Sequence, residues 1–121
     1  MVILFDQYNL PESIYEIVFA TEQQEMVAEM LVRFIKKNNG SLTKSEMSRF
    51  ATDLHEGKQI WNNNKVSYNK RQFYDRILTP LKAMGIIHYD MYNRTYALSK
   101  NFHKALLSIA EIWLQEYAKP A

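Results

Sequence analysis

From Glu22 the apolar positions of the chain repeat at helical spacing, with Met26, Val27, Met30, Leu31, Phe34 and Ile35 on one face. This predicts an amphipathic helix over Glu22–Lys37. Thr21 followed by Gln24 resembles a capping box, and Asn38, Asn39 and Gly40 supply a stop after Lys36 and Lys37. A second, shorter helix begins at Thr43 and Glu46, a capping box, with Leu42 and Met47 at the positions of a hydrophobic staple. Met47, Phe50, Ala51 and Leu54 form its apolar stripe, and Gly57 ends it. Residues 57–66 hold no period, and Asn62, Asn63 and Asn64 favour turns through side-chain to backbone bonds. A loop anchored by Ile60 or Trp61 is expected there.

Phe73, Ile77, Leu81 and Met84 recur at spacings of four, four and three, which predicts a third helix capped by Ser67 or Asn69. Pro80 removes one backbone bond and clashes near Arg76, so a kink or break is expected within it, and Gly85 ends it. Ile86–Asp90 and Thr95–Leu98 are rich in β-branched and aromatic residues and read as a hairpin with Met91, Tyr92, Asn93 and Arg94 at its tip. A last helix, from about Asn101 to Tyr117, has an apolar surface wider than one core face needs. Residues 1–20 are ambiguous. Pro11 and Glu12 suit a helix start, whereas Ile14, Tyr15, Ile17, Val18 and Phe19 suit a strand equally well.

Charge changes this picture once it is divided along the chain. The formal net charge is only +2, yet residues 1–32 carry six carboxylates and no Lys or Arg, while residues 33–104 carry fourteen Lys and Arg against five acids. A basic central stretch favours a polyanionic partner through counterion release, and an acidic end is repelled by the same partner; a lopsided solvated surface is the plainer alternative. Cysteine is absent, so no disulfide framework or thiol nucleophile is available. The apolar start Met1–Phe5 is stopped by Asp6 without the length or basic flank of a signal peptide, and no apolar run approaches a membrane span. A cytoplasmic protein of 121 residues with one domain and no membrane partner is the expectation.

Helix, short helix, helix, hairpin and closing helix is the element order of the winged helix-turn-helix superfamily. The stretch from Phe73 to Ile87, followed by Asn93, Arg94, Thr95, Tyr96, Ala97, Leu98 and Ser99, resembles the end of a recognition helix, its exit and the wing of many bacterial and archaeal regulators. The resemblance covers about residues 21–100. It implies a mainly α fold with a small β-hairpin wing, flanked by an N-terminal extension over residues 1–20 and a C-terminal helix over residues 101–121 that serves core packing and dimerisation. One departure is the link between the second and third helices, about ten residues where the family has a tight turn.

With Phe73, Ile77, Leu81 and Met84 turned inward, the opposite side of the third helix carries Tyr68, Arg71, Gln72, Asp75, Arg76 and Thr79. Arg can bond guanine bidentately and Gln adenine, while Asp75 can accept from a cytosine amino group or pair with Arg71 or Arg76. Tyr92, Asn93 and Arg94 stand where a wing reaches a phosphate or a minor groove, and Lys44, Ser45 and Arg49 suit backbone contacts near a helix start. Lys58 and Lys65 bracket the loop and could add phosphate contacts. Phe102, Leu106, Ile109 and Trp113 form the stripe by which two copies would join, unless that stripe packs on residues 1–20 of the same chain.

The expected function is sequence-selective binding of double-stranded DNA by a homodimeric transcriptional regulator. A winged-helix protein-interaction module and a replication or plasmid-partition protein are the alternatives. No cofactor, metal or catalytic residue is expected: His55, His88 and His103 fall on different elements, and only three glycines leave no phosphate-cradling loop.

Overall fold

The computed structural model describes residues 11–121, which are mixed α and β. Of the ambiguous N-terminal segment, residues 1–10 lie outside the described residues. The remainder contains one short helix, α1 (Ile14–Val18), opened by Ser13, whose hydroxyl accepts from the Glu16 amide.

Helix α2 (Glu22–Lys37) has the predicted bounds. Thr21 Oγ1 accepts from the Gln24 amide, but the Gln24 side chain reaches past the cap to the Ala20 amide, so only half of the expected box forms. The chain leaves α2 through Asn39 at φ 63° and enters β1 (Ser41–Thr43). Helix α3 (Lys44–His55) starts with the complete capping box: Thr43 Oγ1 accepts from the Glu46 amide at 3.1 Å, and Glu46 Oε1 accepts from the Thr43 amide at 3.0 Å. Such a cap contributes about 1 kcal/mol. Leu42 and Met47 are both buried beneath it.

Residues 57–66 form a hairpin rather than the expected loop. Strands β2 (Gln59–Trp61) and β3 (Asn64–Val66) pair antiparallel, with Trp61 opposite Asn64. Asn62 and Asn63 make the two-residue turn at φ 51° and 64°, the left-handed geometry that matches strand twist and that asparagine tolerates. Trp61 lies back toward α2, with the Arg33 guanidinium 5.7 Å from its ring.

The third helical segment is continuous but not uniform. Asn69 caps α4 (Lys70–Gln72) by accepting from the Gln72 amide. A π-helical stretch (Phe73–Leu78) follows, then α5 (Thr79–Ala83). Pro80 accounts for the widened turn. In a regular helix its ring would press on the Arg76 carbonyl, and one extra residue per turn relieves that clash while the Thr79 amide bonds to Tyr74 O instead. The widening brings Leu78 into the core beside Ile77, and Met84, expected to face inward, lies past the helix end and is 40% exposed. Gly85 at φ 81° completes the stop, with its amide bonded to Lys82 O and the Ile86 amide to Leu81 O.

Strands β4 (Ile87–Asp90) and β5 (Thr95–Leu98) pair antiparallel, and β1 adds to the outer edge of β5, giving the order β1-β5-β4. Leu42, Tyr96 and Ile87 turn from this sheet into a core shared with Val27, Leu31 and Ile35 of α2, Met47, Phe50 and Leu54 of α3, and Phe73, Ile77 and Leu81. The Phe50 ring sits at its centre, 5.1 Å from Phe34 and 5.7 Å from Phe73. Helix α6 (Phe102–Ala118) buries none of its residues, in place of the core packing expected of it. Among the described residues no helix is long and apolar enough to cross a membrane.

Candidate nucleic-acid interface

The start of α3 is fixed to the hairpin tip by the main chain. Thr43 pairs with Thr95 in the sheet, and the next amide, that of Lys44, donates to Arg94 O at 3.0 Å. The tip is held by Asp90, whose carboxylate accepts from the Tyr92 and Asn93 amides at 2.9 and 3.2 Å and from Asn93 Nδ2 at 2.9 Å. These amide bonds favour the charged form and hold the Asp90 carboxyl below its ordinary range. Arg94 adopts φ 52°, which closes the turn and leaves its side chain in solvent. Met91 and Tyr92 project from the tip, Tyr92 almost fully exposed.

These constraints bring Lys44, Ser45, Arg49, Asn93 and Arg94 to the walls of one open groove, together with Thr43, Ser48, Thr52 and Asp53. The residues expected to make backbone contacts are therefore neighbours in space. Asp53 adds one carboxylate to the groove. The carboxylate of Glu46 is engaged in the cap, where the bonds from Thr43 lower its pKa.

A second cluster lies on α4, the π-helical stretch and α5. Arg71, Gln72, Asp75, Arg76 and Thr79 are all exposed, as the wheel predicted. Arg71 Nε is 3.9 Å from Asp75 Oδ2, with the two side chains 92% and 68% exposed, a pairing too long and too hydrated to hold either. Thr79 donates its hydroxyl to Tyr74 O, which still leaves its oxygen free to accept.

Tyr68 does not belong to this face. It is buried in the core, and its amide donates to Leu54 O at 3.1 Å. The wheel fails there because Tyr68 precedes the Asn69 cap, where the backbone is not yet helical.

Lys70, which sequence reasoning missed, bridges the two clusters. Its Nζ lies 2.9 Å from Thr52 Oγ1 and 3.5 Å from Ser48 Oγ, both on the outer side of α3, and its amide donates to His55 Nδ1 at 3.0 Å. No spacing in the sequence marks these contacts, since they join residues 15 to 22 apart across two helices. The result is a run of donors from Arg94 through Lys44 and Arg49 to Lys70 and Arg71. Among the described residues none of Lys44, Arg49, Lys70, Arg76 and Arg94 lies within ion-pair distance of an acid. Lys58 is turned to its own neighbour, 2.7 Å from Glu56 Oε2. Lys65 is exposed on the separate β2–β3 hairpin.

Phe102, Leu106, Ile109 and Trp113 lie on α6 as expected. The described residues contain no group of three or more His, Asp or Glu placed to hold a metal ion. His88 and Asp90 share a strand face, but the Asp90 oxygens are occupied by the turn amides. No protein-family model, curated protein or solved structure matches this chain.

Proposed function

We propose that this protein binds double-stranded DNA with sequence selectivity, as a winged helix-turn-helix module. Helix α3 and the segment Lys70–Ala83 form the helix pair, the β4–β5 hairpin is the wing, and the β1-β5-β4 sheet supports both. The observation that carries the reading is the line of cations and small hydroxyl donors joining the wing tip, the outer side of α3 and the start of α4, in which the half-buried Lys70 bridges the exposed Lys44, Arg49, Arg71 and Arg94, and against which stand the carboxylates of Asp53 and Asp75. A protein-interaction module could bury Arg71, Gln72, Arg76 and Arg94 or pair them with acids, whereas a DNA reader needs them facing solvent, and all four are exposed.

The roles divide by position. Lys44, Ser45, Arg49, Lys70 and Arg94 neutralise phosphates and set the register of the duplex. Arg71, Gln72 and Arg76, with Asp75 and Thr79 beside them, face base edges in the major groove, where bidentate Arg and Gln contacts discriminate bases by about 1–3 kcal/mol each. Tyr92 and Asn93 extend the wing toward the backbone or the adjacent minor groove. Control of transcription is the simplest use of such a reader.

The test is selection from a random duplex pool. A converged site, bound more tightly than random DNA, is the expected result. Binding that never distinguishes one sequence from another would contradict the assignment of the Arg71–Arg76 face.

A further inference from the structure

The geometry points to α6 as the seam by which two copies of this chain associate through an isologous contact centred on Ala110. Leu106, Leu107, Ile109, Trp113, Leu114 and Tyr117 share the Ala110 side of the helix and are all large, apolar and exposed, from 41% at Leu106 to 78% at Tyr117. Together they present apolar area on the order of the 800 Å² that one partner gives to a standard interface. An apolar patch of that size on a single chain marks a binding surface.

The shape and charge of the helix select the occupant. Ala110 lies in a hollow walled by Leu106, Ile109, Trp113 and Leu114, so the centre of the face is low and its margins are high, a form that a copy of itself can fill about a two-fold axis. From Phe102 to Lys119 the helix carries Lys104 and Lys119 against Glu111 and Glu116, a formal balance that spares two copies from repelling each other. A lipid surface fits poorly. Interfacial helices line their polar side with Lys and Arg, whereas the polar stripe here is Lys104, Ser108, Glu111 and Gln115.

Dimerisation through α6 does not depend on the DNA reading, and it adds to that reading two recognition surfaces suited to an inverted repeat. The experiment is sedimentation of the full chain without DNA across a concentration series. The wild type should show twice the 14.3 kDa chain mass, and Ile109→Glu combined with Trp113→Glu should return it to 14.3 kDa. The circular-dichroism spectrum should keep its helical form, because neither side chain contributes to the core. Since the chain has no cysteine, Ala110→Cys gives an independent check: mild oxidation should link native protein into a covalent dimer and leave denatured protein unlinked.

A monomeric wild type, a double variant that stays dimeric, or an Ala110→Cys protein that does not cross-link would each overturn the assignment. A dimer that binds no DNA would leave this inference standing and remove the DNA reading. A monomer that selects a single half-site would do the reverse.

Discussion

At the residue scale, the proposed function divides the exposed side chains into those that would read sequence and those that would hold the duplex. Arg71→Ala with Arg76→Ala is expected to abolish preference for a selected site while leaving the melting temperature close to that of the wild type, because both side chains are exposed. Competition between selected and random duplexes measures this, and undiminished preference would show that another face reads the bases. Lys44→Ala or Arg94→Ala should instead weaken binding to all sequences alike. Each phosphate that is no longer neutralised makes the negative slope of log affinity against log salt shallower by about 0.9, so an unchanged slope would remove that residue from the backbone contacts. Lys70→Met should act in the same way and should also loosen the junction of α3 and α4, because its ammonium reaches Thr52 and Ser48.

At the element scale, the two pieces that frame the groove are held by carboxylates: Glu46 at the start of α3 and Asp90 at the wing tip. Both have pKa values below the ordinary range in the folded chain, so the unfolded chain binds their protons more readily. The stability they supply is complete above the ordinary carboxylate range of about 4 and is lost as the pH falls through their lowered values. Acid titration followed by circular dichroism should therefore show a loss of stability that Glu46→Gln or Asp90→Asn makes shallower. An equally steep loss in both variants would assign the acid sensitivity to other groups. Thr43→Ala should cost about 1 kcal/mol in urea unfolding through loss of the cap.

Legibility in the sequence follows the same scale. Helices α2 and α3 were readable because a cap, an apolar stripe and a stop agree within one segment. The β2–β3 hairpin was not, since each strand is only three residues long, Ile60 points outward, and the turn signal is Asn62-Asn63 rather than an Asn-Gly pair. The widened turn before Pro80 was foreseen as a disturbance but not as π-helical geometry, and that geometry decides why Leu78 is inside and Met84 outside. In the site, the exposed cations could be named from a helical wheel, whereas Ser48, Thr52 and Lys70 become neighbours only when two helices meet.

At the scale of the whole molecule, charge is segregated along the chain: carboxylates gather toward the first 32 residues, and the basic groups gather from Arg33 to Lys104. In the proposed reading, this segregation would orient the chain on a polyanion with the wing and the α3–α4 face forward. The measurement that tests this most directly is equilibrium binding to random-sequence duplex DNA over a series of salt concentrations. The account predicts binding at low salt that falls steeply and linearly in log affinity against log salt, with a slope corresponding to several of Lys44, Arg49, Lys70, Arg71, Arg76 and Arg94. No binding at the lowest salt, or binding indifferent to salt, would contradict it and assign these cations to an acidic protein partner.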